Sequence, residues 1–213
     1  MLEFISPGGK LNIKILYKKE LDGGGTEFGQ DYITVIKERY SNRTFNKCYE
    51  WCSGPGFIGF SILDHELCNS LCLSDLYLPA IEYANKTKAT CRNDISTYHI
   101  DRVSLLPDTE MFDLVVANPP HYASIVSEED NYNRICTDLD WQAHKEFFNN
   151  IKSHLSPNGI ILLQENAKGS TVESFSTLID NTGLKITDSF RSRDYYNEND
   201  NRRKIYYIEI QHL

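Results

Sequence analysis

Apolar and polar positions alternate through "LNIKILYK", residues 11–18, with the period of a half-exposed strand. Three glycines in "LDGGGTEFGQD" end that pattern, and "YITVIKERY" predicts a short helix leading towards "NKCYEWC". Beyond this point apolar runs and helical periodicity take turns. The pattern predicts a strand at residues 48–51, a glycine loop, a helix over 57–68, and a strand at 71–75. A helix over 79–88 follows, with Pro79 suited to its first turn. "ISTYHI" and "FDLVVA" read as the next two strands, and helical spacing resumes over 141–155. "SPNGIILLQE" supplies a turn and a strand, and "TVESFSTLIDNTG" a helix that Gly183 ends. "LKITDSF" and "KIYYIEI" close the chain as strands joined by the charged loop 191–203, near enough in sequence to form an antiparallel pair.

Strands that alternate with helices lie in a parallel sheet covered on both faces. The expected fold is therefore α/β and Rossmann-like, with a seven-stranded, mostly parallel sheet and an antiparallel C-terminal strand pair. Such sheets bind ligands beyond the carboxyl ends of their strands, at the switch point of the strand order. The 213 residues, 40% hydrophobic and 12% aromatic, suffice for one domain with a sizeable core. Residues 1–45 read as a cap on the domain formed by residues 46–213, and no internal repeat or low-complexity tract is present.

Charge narrows the partners. With 22 basic against 30 acidic residues the net charge is −8, which disfavours a broad nucleic-acid footprint. Arg191, Arg193, Arg202, Arg203 and Lys204 do cluster, although Asp194, Glu198 and Asp200 lie among them. No basic start leads into an apolar stretch, and no run approaches the ~18 apolar residues of a membrane span. A soluble, cytoplasmic protein with no membrane partner is the expectation. Cys48 and Cys52 fall on or just beyond one strand, ~13 Å apart, too far for one tetrahedral zinc. Cys68 and Cys72 straddle a helix end and the next strand. The cysteines, Cys91 and Cys136 included, are expected as reduced thiols with no metal site.

"YEWCSGPGFIGF" contains a G-x-G-x-x-G loop, Gly54 to Gly59. Glycines there allow a tight turn and close backbone approach, and the helix beyond offers free N–H donors. Glu50 stands at the strand end before the loop, where a carboxylate can meet a ligand's ammonium or order the loop. Asp75 closes the next strand, where a carboxylate can grip both ribose hydroxyls of an adenosine-type ligand; it also suits a helix cap. These features fit nicotinamide cofactors and S-adenosylmethionine alike.

"FDLVVANPPHY" distinguishes between them. A buried strand delivers Asn118 into two prolines, which lack backbone donors and stiffen the turn. The Asn118 side-chain oxygen and the Pro119 carbonyl form two fixed acceptors for a planar NH2 group. Hydrogen bonds from both N–H groups favour pyramidalisation and aim the nitrogen lone pair at a methyl donor, with no strong base required. Hydride transfer has no use for this geometry, and the reading moves to methyl transfer.

"EWCSGPGFIG", "LSD" and "ANPPHY", in this order, resemble the class I S-adenosylmethionine-dependent methyltransferases. More narrowly they resemble the NPP[YFW] branch that methylates amide or exocyclic amino nitrogens, and most closely the catalytic domain of HemK-type protein-glutamine N5-methyltransferases. The resemblance spans about residues 23–210, including "ILLQENAKGS" and "RSRDYYNENDNRRKIYY". It implies S-adenosylmethionine as cofactor, with Phe28, Gln30, Glu50, Cys52, Gly54, Gly56, Asp75, Leu76, Asp101, Arg102 and Asn118 around it. The family's acidic residue near the adenine corresponds to Asp101, and "GTEFGQD" to the segment flanking the methionine end. Catalysis falls to Asn118, Pro119, Pro120, His121 and Tyr122. Substrate contacts fall to Asn118, Pro119, His121 and Tyr122. The segment after Pro120 is long for a connection, as lids and binding loops are, and adds Asp138, Asp140, Trp141 and His144 as candidates. The alternative is that Asp138 caps the next helix while Trp141, Phe147 and Phe148 anchor its core.

The chain departs from the family at two positions. Cys52 stands where the family has glycine, and His121 where a Tyr, Phe or Trp stacks on the substrate, with Tyr122 one residue later. The helical N-terminal domain of bacterial members is outside the resemblance, and short members work with a small partner subunit. The expected acceptor is a glutamine-type carboxamide or related nitrogen of a protein, peptide or small molecule. Alternatives are an adenine amino group of DNA or RNA, a NAD-dependent oxidoreductase, and a cofactor-binding scaffold without turnover.

Overall fold

Five of the six residues of β6, Phe112–Ala117, are apolar and buried, because the strand sits at the middle of a sheet covered on both sides. The computed structural model describes residues 1–197 and 204–213. Its main sheet comprises β3 (Phe45–Trp51), β4 (Cys68–Asp75), β5 (Ile95–His99), β6, β7 (Leu155–Asn166), β8 (Leu184–Tyr196) and β9 (Lys204–His212), in the order β5-β4-β3-β6-β7-β9-β8. The first five run parallel, and β9 is antiparallel to both β7 and β8. A separate antiparallel pair joins β1 (Leu2–Phe4) to β2 (Ile15–Tyr17).

Helices cover both faces. Tyr32, Ile36, Phe60 and Ile62, from α1 (Asp31–Arg39) and α2 (Phe57–Asp64), pack with Ala84 of α3 (Leu78–Lys88) into one core. Phe147 and Phe148 of α5 (Gln142–Asn150) and Phe175 and Ile179 of α6 (Val172–Asp180) fill the other. The Trp51 ring stacks on Phe147 at 4.2 Å, so the end of β3 is clamped to that second layer. Thr171 starts α6 through a reciprocal capping pair with Ser174. Strand order runs outwards from β3 through β4 to β5, then returns to β6 on the other side of β3. That reversal opens a crevice between the ends of β3 and β6.

Several boundaries differ from the sequence pattern. The helix expected over 57–68 ends at Asp64, so both Cys68 and Cys72 lie on β4. The half-exposed strand at 11–18 shrinks to Ile15–Tyr17, because β1, the strand it pairs with, is three residues long. The charged loop expected at 191–203 begins later: β8 continues to Tyr196, since Arg191 still pairs with Tyr206. Glu198, Asp200, Arg202 and Arg203 lie outside the described residues. The connection after Pro120 holds a short helix, α4 (Asp130–Cys136). Among the described residues no disulfide forms, and Cys48, Cys68 and Cys72 are buried. Among the described residues no helix is long and apolar enough to cross a membrane.

Candidate functional site

After Trp51 the chain must turn from a buried strand into a buried helix within residues 52–56. Cys52, Gly54 and Gly56 make the turn with φ of 53°, 53° and 90°. Only glycine adopts such values without steric cost, so Cys52 is held in a conformation disfavoured for its side chain. Gly59, inside α2, serves a different need: a Cβ there would sit 2.8 Å from Glu50 Oε2 and 2.7 Å from Leu71. The bare backbone lets the Glu50 carboxylate accept from the N–H groups of Gly59, at 2.7 Å, and Ile58, at 3.3 Å. Glu50 is buried, and this desolvation pushes its carboxyl up to about 8, although both N–H groups act against the rise.

At the end of β4, Asp75 accepts from the Gly54 N–H at 2.7 Å and the Tyr77 N–H at 2.8 Å. It therefore ties the glycine loop to the first turn of α3. Burial raises its carboxyl above the ordinary range, against the pull of the same two N–H groups. Each oxygen accepts one hydrogen bond and keeps a lone pair for a ligand hydroxyl.

The end of β6 is pinned by Tyr32. Its hydroxyl lies 2.7 Å from the carbonyls of both Ala117 and Leu162 and accepts from the Ala117 N–H at 3.3 Å. Asn118 leaves the sheet from this fixed point. Its Nδ2 donates to the Gly23 carbonyl at 3.3 Å, while its Oδ1 is buried without a hydrogen-bond partner among the described residues. The segment opposite is held in turn: Gln30 Nε2 donates to the Gly25 carbonyl, and Gln164 Nε2 to the Phe28 carbonyl, both at 2.8 Å.

These elements enclose a cavity of about 400 Å³, inside the ~300–1,000 Å³ typical of small-molecule sites. Of the residues expected from the sequence, Phe28, Glu50, Cys52, Gly54, Asp75, Leu76, Asn118, Pro119, Pro120, His121 and Tyr122 line it. The others do not. Gln30 braces the glycine segment from behind, with its Oε1 accepting from Ser6 at 2.8 Å. Gly56 opens α2, where a Cβ would meet Phe60 at 2.7 Å. Asp101 and Arg102 are exposed and face each other at 3.4 Å.

Asp138 and Trp141 stand behind the Asn-Pro-Pro turn because the connecting segment doubles back. Tyr122 bridges to Thr137, the Tyr122 N–H donates to Cys136, and the Asp138 N–H returns to Tyr122. Asp138 thus receives the N–H groups of Ala143 and His144 and caps α5. Trp141 packs edge-on against Phe175 and His144. The same reversal brings Arg134, Ile135 and Cys136 of α4 onto the cavity, with the Arg134 guanidinium 3.9 Å over the Tyr77 ring. Asp22, Ser53 and Asn166 also line the cavity. Periodicity carried no signal for α4, whose residues "DNYNRIC" are mostly polar.

Behind His121 lies a buried charged cluster. Its Nδ1 is 3.2 Å from Glu165 Oε2, at the end of β7. Glu165 Oε1 is 3.1 Å from His144 Nε2, and His144 Nδ1 is 2.7 Å from Asp138 Oδ2. The Ser170 hydroxyl donates to Glu165 at 2.9 Å. Both His144 nitrogens face carboxylate oxygens, which only accept, so the ring donates twice as an imidazolium. Burial pulls His144 down, but Asp138 and Glu165 outweigh it and hold the ring above the usual histidine range. Burial likewise pushes Glu165 and Asp138 up, and their histidine hydrogen bonds bring both below the carboxylate range. The sequence concealed the cluster because "LLQE" reads as a strand running out to a solvated end.

The methyltransferase small domain family matches residues 33–189. No curated protein matches the sequence. Among solved structures, the ribosomal protein L11 methylase of Lactobacillus delbrueckii subsp. bulgaricus is 18% identical over 89% of this chain and 81% of its own, with a TM-score of 0.59. The N-methyltransferase NodS of Bradyrhizobium japonicum, in complex with S-adenosyl-L-homocysteine, is 15% identical over 91% of each chain, with a TM-score of 0.60. A TehB-like S-adenosylmethionine-dependent methyltransferase of Corynebacterium glutamicum is 15% identical over 87% of this chain and 96% of its own, at 0.55. The chain therefore belongs to the methyltransferase small domain family and has the fold of the S-adenosylmethionine-dependent methyltransferases.

Proposed function

We propose that the protein transfers the methyl group of S-adenosylmethionine to a planar amide or amino nitrogen, in the manner of the NPP[YFW] branch, with a glutamine-type carboxamide of a protein, peptide or small molecule as the preferred acceptor. The observation that carries the reading is the Asn118 side chain, which lines the cavity: Nδ2 is tied to Gly23, and Oδ1 is buried with no partner among the described residues. An orphaned buried acceptor is costly, and a ligand N–H would satisfy it. As the nitrogen bonds to the methyl carbon and takes on positive charge, its N–H groups become stronger donors, so this contact favours the transition state over the ground state.

Donor binding follows from the other wall. A buried Glu50 with its carboxyl pushed up to about 8 gains from a ligand ammonium, and Asp75 keeps lone pairs for ribose hydroxyls. Leu76, Tyr77 and Ala80 give the adjoining stretch of wall its apolar character, suited to an adenine ring. Asp101, expected near that ring, forms no part of the wall. An exocyclic adenine amino group presents the same NH2 geometry as a carboxamide, and salt-dependent binding of nucleic acid would mark that acceptor.

The test is to incubate the protein with methyl-labelled S-adenosylmethionine and a fractionated lysate, then locate the label by mass spectrometry. Label on a glutamine side-chain nitrogen supports the reading. Label on oxygen, carbon or sulfur overturns it.

A further inference from the structure

A ring that only stacks on a substrate needs a π-face, which Phe, Tyr or Trp supplies without any group behind it. His121 instead has Glu165 at 3.2 Å from its Nδ1, and Glu165 is fully buried. Gathering Glu165, His144 and Asp138 out of water carries a desolvation penalty that a stacking ring gives no reason to incur. A carboxylate facing Nδ1 selects the tautomer that carries its proton there, which leaves Nε2 with its lone pair. Among the described residues Nε2 has no protein partner, and the residue lines the cavity beside Asn118. This is the arrangement by which an imidazole takes a proton from an attacking group.

We propose that His121 is the proton acceptor of methyl transfer and that Glu165 positions it, with His144 and Asp138 fixing Glu165 in turn. The proposal rests on the N-methylation reading above and adds to it the group that takes up the proton released from nitrogen. The nitrogen lone pair forms the new N–C bond. The methyl carbon–sulfur pair returns to sulfur, leaving the thioether of S-adenosylhomocysteine. The proton lost from nitrogen passes to Nε2 of His121 and then to solvent. His144 stays protonated throughout, since both its nitrogens donate to carboxylates, and it keeps Glu165 ionised and aimed at Nδ1.

The test uses the full chain saturated with S-adenosylhomocysteine, with ring nitrogens followed by long-range ¹H–¹⁵N spectra. In the wild type His121 should carry its proton on Nδ1 with Nε2 bare, while His144 is protonated on both nitrogens at pH 7.5. Glu165→Gln can turn an amide donor towards Nδ1, so the His121 proton should move in part to Nε2. Transfer of label from S-adenosylmethionine to the accepting lysate fraction should fall at least 100-fold in His121→Phe. It should also fall in Glu165→Gln, with S-adenosylhomocysteine affinity within threefold in both. A wild-type His121 protonated on Nε2 overturns the proposal even if no acceptor is found. So does His121→Phe with unchanged turnover, which would make the ring a stacking surface only. Failure of the wild type to bind S-adenosylhomocysteine counts instead against the underlying donor assignment.

Discussion

Asn118 has two hydrogen-bonding ends, and the fold itself uses one of them. Its replacement should therefore separate turnover from donor binding. Asn118→Ala should lower methyl transfer by about 100- to 1,000-fold, the usual effect of losing one group that acts on developing charge. Affinity for S-adenosylhomocysteine, measured by calorimetry, should stay nearly constant; normal turnover in the variant would exclude Asn118 from the reaction. Glu50 makes a second case. With its carboxyl raised to about 8, Glu50 is mostly protonated at pH 6 and must ionise to pair with a ligand ammonium. Affinity for S-adenosylhomocysteine should rise about tenfold between pH 6 and pH 7 and flatten near pH 8, where the ligand amine begins to lose its own proton. Glu50→Gln should remove the slope. A flat wild-type profile would restrict Glu50 to ordering the loop.

Elements place these residues by contact between segments distant in sequence. The turn that follows β7 reaches Gly169, where a Cβ would fall 2.1 Å from the His121 carbonyl oxygen and 2.8 Å from the Tyr122 ring. The β7–α6 connection is thus pressed against the backbone of the Asn-Pro-Pro turn. Gly169→Ala should displace that turn, with a stability loss of about 1–3 kcal/mol from overpacking. Thermal unfolding would measure the loss, and label transfer should fall with it while donor affinity holds. A variant as stable and active as the wild type would show that the connection yields freely. α4 illustrates the same point on the opposite rim: Arg134 meets Tyr77 only because the bridge between Tyr122 and Thr137 folds the helix back.

Two cores, one on each face, hold a sheet whose end carries a charged cluster, and the cluster gives the whole molecule a pH signature. His144 is held above its unfolded value, so its contribution is complete below ~6.5 and is lost as pH rises through the folded value. Glu165 and Asp138 are held below theirs, so their contribution is present above ~4 and is lost as pH falls further. Glu50, raised to about 8, adds a loss that begins above ~4.3, where the unfolded group ionises, and is complete just above pH 8. Thermal stability should therefore peak on the acid side of neutrality and decline towards pH 9. His144→Gln leaves two buried carboxylates without their cation and should cost about 3–5 kcal/mol, and it should weaken the alkaline decline. A wild-type melting temperature that rises from pH 6 to pH 9 would contradict this account of the cluster.

The sequence alone determined the features that local chemistry controls. Alternating strand and helix patterns required a parallel sheet, the glycines at 54 and 56 marked a turn with positive φ, and Asn118 before two prolines marked a rigid end to β6. These followed because periodicity, φ preference and the missing proline donor are properties of neighbouring residues. Tertiary structure decided what depended on distant partners. It turned Gly59 into the space for the Glu50 carboxylate and set Asp138 behind the site as a helix cap. It kept Asp101 and Arg102 out of the cavity wall, extended β8 through Arg191, and joined His121 to Glu165 across 44 residues. A carboxylate in the sequence does not reveal whether it will meet water, a ligand or an imidazolium; the fold settles this by choosing which groups it removes from solvent together.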